Sequence, residues 1–464
     1  MMRTLNARAR SFALPMALAT VALLGACSEV VVPNYNSPST DRLTTNPTAA
    51  TVNTTVVGLL VGIRGSVGTW ATGLGVLGRE ILNLDTAEPR SVNAYLIGPL
   101  EPGGFGVDQG WTATYRNLRT AVTLLDAVEK VPEYTDAQKA AVRGFVKTVM
   151  AQDYVNLLRV RDTFGIVLDV NPDPAVMGEF VSREAAYTRV SALFDEAKAD
   201  LLAGGSAFPF PLTTGFAGFN TPTTFLRVNR ALKARSDIYQ LHWADALTSL
   251  GESFISTASS TPAALAAGVY HVYSTTSGDA TNPLFDPGPR NLVAVPDFLT
   301  DAQLRPDGTI DLRASSKAQL MPTSLSTQGV SSNVRITAYA SNIAPVPWIK
   351  NEELILLRAE AYNGLGNRAA AIADLNFVRV NSGGLAPLPD DYAGDLVDEI
   401  LYNRRYSLFD EYGHRWVDSR RYGRLETLPK ALPSHRIFPR VPIPIDECNQ
   451  RPVAPVGCVN VLGF

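Results

Sequence analysis

The residues best suited by type and spacing to acid–base chemistry lie in Glu411-Tyr412-Gly413-His414-Arg415-Trp416-Val417-Asp418. Helical spacing pairs Glu411 with Arg415 and His414 with Asp418, and the second pair resembles half of a catalytic dyad. No nucleophile stands nearby in sequence, so ion-pair networking is the reading carried forward. Gly73-Leu74-Gly75-Val76-Leu77-Gly78 matches the dinucleotide-binding fingerprint letter for letter. Its glycines continue a series at Gly58, Gly62, Gly65 and Gly68, and Asp85 follows too soon for a ribose-binding carboxylate about 20 residues on. A close-packed helix or turn is expected there. With 4 histidines and no H-E-x-x-H, no metal or cofactor is assigned, although an all-oxygen calcium site stays open because its ligands are common residues.

Helical elements must position these groups. Asn351 to Asn381 reads as a helical hairpin: Leu354, Leu357, Ala361 and Leu365 recur at helical spacing, Gly364 and Gly366 break the first helix, and Asn367 can cap the second. Ile372, Leu375 and Val378 line the second helix, and small alanines let the pair approach closely, as in tetratricopeptide repeats. Similar segments run from Trp111 to about Lys130 and from Asp136 to Arg161, the latter opened by Thr135-x-x-Gln138, a capping box. Others begin at Ser182 and cover Phe225–Leu241, Trp243–Ile255 and Leu396–Phe409. The Gly-, Pro-, Ser- and Thr-rich stretches 204–224, 256–289 and 322–347 are expected as long loops or short strands. The fold class is mainly α: a tetratricopeptide-like helical-hairpin scaffold with an irregular, loop-rich cap and few short strands.

The chain has 464 residues, 46% hydrophobic and 18% charged, with Lys+Arg 41 against Asp+Glu 44. That composition fits a soluble globular body and excludes a disordered or multi-span membrane chain, and without a basic run nucleic acid is not expected. Serial ten-residue strands of alternating apolarity are absent, so the chain is not itself an outer-membrane barrel. Arg3, Arg8 and Arg10 precede the uncharged stretch Phe12 to Ala26, too short to span a bilayer, which reads as a secretory signal. Leu24-Gly25-Ala26-Cys27 resembles a bacterial lipobox, so residues 1–26 are expected to be cleaved and Cys27 to be acylated, giving a membrane-anchored protein. Residues 27–45, with Pro33 and Pro38, form the expected tether, and 46–464 the body: an N-terminal helical half at 46–255, a loop-rich insertion at 256–347 and a C-terminal region at 348–464. In an exported, oxidising setting Cys448 and Cys458 are expected to form a disulfide, and a metal site is disfavoured because His435 is the nearest histidine.

Several segments resemble the SusD/RagB family of outer-membrane nutrient-binding lipoproteins, in order along nearly the whole mature chain. The clearest are Pro347-Trp348-Ile349-Lys350-Asn351-Glu352-Glu353-Leu354-Ile355-Leu356-Leu357-Arg358-Ala359-Glu360-Ala361-Tyr362, then Leu365-Gly366-Asn367 and Leu375-Asn376-x-Val378-Arg379. Asp398-Glu399-Ile400, Arg404-Arg405, Gly413-His414-Arg415-Trp416-Val417-Asp418, Arg421-x-Gly423 and Pro442-Ile443-Pro444 continue it. Trp111-x-x-x-Tyr115-Arg116-Asn117-Leu118, Ser182-Arg183-Glu184 and Arg227-Val228-Asn229 agree more loosely. Asn403 and Ser407 stand where glutamates are common, and the Cys448/Cys458 pair is outside the motif.

The resemblance implies a non-catalytic lipoprotein at the outer membrane, facing the exterior, that captures an oligosaccharide or similar nutrient for a TonB-dependent (SusC-like) transporter. A lipid-anchored glycoside hydrolase and a helical-repeat envelope scaffold are the alternatives. Sugar capture needs aromatic faces in loops with polar groups beside them. Trp70, Tyr95, Phe105, Tyr270, Tyr273 and Phe285 are the candidates, with Asn93, Asp108, Asn282 and Arg290 close in sequence. Trp348 and Trp416 lie inside the family's structural motifs and are assigned to packing.

Overall fold

The computed structural model describes residues 40–285, 287–288 and 291–464. The leader, Cys27, most of the tether and Arg290 lie outside the described residues. Helix α1 (Thr40–Thr45) falls within the expected tether, and its Leu43 is buried in the core, so the folded body starts ahead of position 46. Two apolar helices follow, α2 (Ala49–Gly65) and α3 (Val67–Leu77). Together they match a membrane span in length and composition, yet a break at Ser66 separates them and Val52, Val56, Leu59 and Ile63 are buried in the body. The glycine series thus lies in helix. Gly73 leaves room for the Gln109 side chain and Gly75 for Ile81, which is why the fingerprint letters occur without a phosphate loop.

Strand β1 (Ile81–Asn83) leads through a short helical segment at 90–97 and a Gly-rich loop to α4 (Trp111–Glu129) and α5 (Asp136–Arg161). Thr135 and Gln138 form the expected capping box on α5. The short strands β2 (Ile166–Val167) and β3 (Phe180–Val181) pair before α6 (Arg183–Ala203), which Ser182 caps. Helices α7 (Pro222–Tyr239) and α8 (Trp243–Gly251) complete the N-terminal half.

The loop-rich stretch is sewn into the body by strands. Here β4 (Gly268–His271), β5 (Leu292–Ala294), β6 (Ala318–Thr327), β7 (Val330–Ile336) and β8 (Val346–Lys350) make antiparallel pairs. The larger sheet runs β1-β5-β7-β6, so a strand from the N-terminal half pairs with the insertion, and β4 pairs with β8. The β6–β7 turn is Gln328-Gly329, with φ of 51° and 76°, the two-residue geometry that matches strand twist.

Helix α9 (Asn351–Gly364) follows β8 directly and pairs with α10 (Arg368–Asn381), which Asn367 caps by accepting from Ala370 N at 3.2 Å. The Trp243 ring fills the space beside Gly364, so the glycine that ends the helix also admits a neighbour. Helices α11 (Leu396–Ser407), α12 (His414–Arg421) and α13 (Ile445–Asn449) close the chain. Ile355, Leu356, Ile372, Leu375, Leu396 and Ile400 form a second apolar core between these hairpins.

The expected pairs in 411–418 are not formed. Gly413, at φ 66°, starts α12, which leaves Glu411 off the helix and paired with Lys350. Arg415 donates to the Arg79 carbonyl at 2.6 Å. Asp418 is held by Arg404 (2.7 Å) and Arg421 (2.9 Å), and Arg421 also grips Glu360. Burial, reinforced by Arg404, pushes the His414 pKa well below its ordinary value, so the ring is neutral beside the Tyr239 hydroxyl (3.4 Å). Where the family signature has glutamates, Asn403 Oδ1 and Ser407 Oγ accept from Arg313 at 2.9 and 3.1 Å.

Candidate ligand cleft

A cleft of about 570 Å³ lies between the first turns of α4 and the chain around α13. Its helix wall presents Trp111, Thr112, Tyr115, Arg116 and Arg119, its second wall is the loop 102–108, and Pro444 to Glu447 with Gln450 form the opposing lip. A second chamber of about 200 Å³ shares Tyr115, Arg119, Glu447 and Gln450, and extends past Asp169, Asn171 and Met177. The two chambers make one elongated groove.

Local sequence explains the shape. Gly110, at φ 79°, turns the loop into α4 where a side chain would meet Trp70 and Ser66. The Asp108 carboxylate accepts from Thr112 N (3.1 Å) and Thr112 Oγ1 (2.5 Å), tying the loop to the helix start. Trp111 stacks on Phe180 with ring centroids 5.9 Å apart, and the Arg161 guanidinium lies 5.1 Å over its ring. The Tyr115 hydroxyl donates to Val167 O (3.1 Å) and accepts from Val167 N (2.8 Å). Burial raises its pKa well above the ordinary phenol value, so it stays neutral.

The lip is fixed from both ends. Cys448, within α13, is disulfide-bonded to Cys458. Ile445 N donates to Pro102 O (2.9 Å) across the cleft edge, and Arg451 joins Glu447 (2.6 Å) to Gly178 O (2.8 Å). Charge remains available inside. Among the described residues Arg116 has no ion-pair partner, and Arg119 spends only Nε, on Asn171 O at 3.1 Å. Aromatic edges beside guanidinium, carboxylate and amide groups suit a polyhydroxylated ligand. Among the described residues no group of three or more His, Cys, Asp and Glu is arranged to hold a metal.

The structure scatters the six aromatic candidates. Phe105 lies half-buried on the loop that walls the cleft, with Arg90 4.8 Å over its ring. Tyr95 is buried behind it, accepting from Gln109 Nε2 (2.7 Å) and donating to Gly106 O (3.2 Å), and so supports that loop. Trp70 is 2% exposed, its indole donating to Gln109 O (2.9 Å) and its ring packed against Arg159 and Tyr412, so it offers no face to a sugar. Tyr273 is likewise buried, under Arg64 at 5.2 Å. Tyr270, part-buried, donates to the Ala266 carbonyl, and neither it nor half-buried Phe285 lines the cleft. Asn282 is a structural residue bonded to Ala344 O (2.8 Å) and Leu284 N (2.7 Å). Sequence reasoning did not single out Trp111, Tyr115, Arg116 and Arg119, which line the cleft. The signal was present: positions 111, 112, 115, 116 and 119 fall on one helix face, directly after a Gly-rich loop.

No family profile matches the chain, and no curated protein matches it in sequence. Solved structures do. A SusD superfamily protein from Bacteroides vulgatus superposes with TM-score 0.67 at 14% identity, over 88% of this chain and 99% of that one. NanU of B. fragilis does so with TM-score 0.67 at 15% identity, over 93% and 99%. A laminarin-binding SusD-like protein gives TM-score 0.58 at 17% identity, over 89% and 99%. The architecture is therefore a tetratricopeptide-like helical scaffold with a strand-laced cap. More particularly, it is the SusD fold, spanning nearly the whole of each of these structures.

Proposed function

We propose that this protein is a cell-surface glycan-binding lipoprotein, anchored through Cys27, that captures oligosaccharide in the α4–α13 groove. It delivers the sugar to a TonB-dependent outer-membrane transporter and performs no catalysis of its own. The observation that carries this reading is full-length agreement with SusD-fold structures, one of them a laminarin binder, joined to an elongated groove of aromatic, guanidinium and amide groups. The lipobox at Leu24–Cys27 supports the anchor and the address. The test is a glycan array probed with the purified chain lacking its leader, followed by chromatography of any bound oligosaccharide. Binding with the sugar recovered intact supports the proposal. Release of shortened products would favour a hydrolase, and failure to bind any glycan would favour an envelope scaffold.

A further inference from the structure

The charges of the groove narrow the class of ligand, an inference that rests on the glycan-binding reading above. Arg116 and Arg119 are three residues apart on α4, hence on one face, where like charges repel. Elsewhere the protein neutralises such cations: Arg143 is shared by Glu129 and Asp200, Arg230 pairs with Asp195, and Arg424 with Asp395 and Asp398. Neither groove arginine has an acidic partner among the described residues. Arg119 stands where the two chambers meet and lines both. The Asn171 carbonyl holds its Nε at 3.1 Å, which orients the guanidinium and leaves both Nη groups without an acceptor among the described residues. Across the groove Glu447 is neutralised by Arg451, while beside α4 the Asp108 carboxylate accepts from Thr112. Asp446 on the facing lip and Asp169 in the second chamber have no ion-pair partner among the described residues, so the lining carries both signs of charge, with Arg116 and Arg119 as its cationic part on the α4 wall.

We propose that Arg116 and Arg119 hold the carboxylate of an acidic sugar, so that the ligand is an oligosaccharide containing uronic or similarly carboxylated units, its acid turned toward α4. A guanidinium fixed at Nε presents its remaining N–H groups in the planar fork that matches a carboxylate, and such charge-assisted bonds are about twice as strong as neutral ones. Asp446 repels the same group and so fixes the orientation.

The test is titration calorimetry with oligogalacturonate, alginate and hyaluronan fragments, each beside its carboxyl-reduced neutral counterpart and beside a neutral glucan, at low and raised salt. The proposal expects at least one acidic fragment to bind about tenfold or more tightly than its reduced form, to weaken with salt, and to lose that preference in the Arg116→Gln/Arg119→Gln double variant. Arg119→Lys should keep the preference for acid at reduced strength, because the charge survives and the fork does not. Equal binding of acidic and reduced forms, binding of neutral sugars only, or a preference that survives in the double variant would overturn the acidic-sugar assignment and leave glycan binding standing. Absence of binding to every sugar, acidic or neutral, would overturn both.

Discussion

Arg161 Nη1 donates to the carbonyl of Pro442, 281 residues further along the chain. The same guanidinium donates through Nη2 to the carbonyls of Val107 (2.9 Å) and Asp108 (2.6 Å). One fully buried cation, without a salt-bridged carboxylate among the described residues, therefore sets the distance between the loop wall and the segment that leads into the lip of the groove. Burial pulls its pKa down to about 9, still well above neutrality, so the charge is retained. Arg161→Met should cost on the order of 3 kcal/mol in urea unfolding, because two buried carbonyls and one part-buried carbonyl lose their donor. Arg161→Lys should recover part of that, since one ammonium cannot reproduce the planar fork. Wild-type stability in the Met variant would show that the walls are held by other contacts.

Trp70 separates packing from recognition. Its ring packs against Arg159 and Tyr412 in the main core. Trp70→Ala should lose about 3–5 kcal/mol of stability, and the milder Trp70→Phe should leave glycan affinity unchanged. A Phe variant that folds normally yet fails to bind would place the indole in the site.

The disulfide closes a loop with a sequence separation of 10, worth about 2–3 kcal/mol on the chain-entropy account. Because Cys448 belongs to α13, its reduction should be felt first at the lip. Cys448→Ser/Cys458→Ser should lower the unfolding midpoint, and amide exchange should rise in 443–459 ahead of the helical hairpins. Unchanged exchange there would mean that Ile445–Pro102 and Arg451–Gly178 suffice to hold the lip.

Two buried carboxyls predict the direction of pH dependence. Burial pushes Asp153 up to about 7, against an opposing hydrogen bond from Asn117, and burial likewise pushes Glu80 up to about 7, against the pull of Arg415. Folded pKa values above the unfolded ones mean that the native state binds more protons between about pH 4 and 7. Their contribution is full below the unfolded pKa and is lost as pH rises through 7. Asp153→Asn should therefore flatten the fall in stability between pH 5 and 7.5, by up to about 1.4 kcal/mol per pH unit. Denaturant midpoints across that range give the answer, and an unaltered slope in the variant would contradict it.

Legibility in the sequence followed the range of the interactions. The hairpin at 351–381, its Asn367 cap and the Thr135–Gln138 box depend on residues within a few positions of one another, and all three stand in the structure as expected. The 411–418 pairs failed because each charge found another partner: the distant Lys350 for Glu411, the distant Arg79 carbonyl for Arg415, and for Asp418 both Arg404 on the preceding helix and Arg421 one turn on. Aromatic residues in Gly- and Ser-rich surroundings misled in a similar way. Tyr273 was buried by Arg64, more than 200 residues away in sequence, and Trp70 by Arg159 and Tyr412. The groove needs α4 and α13 together, from segments far apart in the chain, and only the helix-face half of that arrangement is written locally.

Hydrogen exchange of the purified protein with and without a bound oligosaccharide tests the central claim most directly. The account predicts protection concentrated in residues 102–119 and 444–450, with the hairpins at 351–407 unchanged. Protection confined to the cap around Tyr270 to Phe285, with the α4–α13 groove untouched, would contradict it.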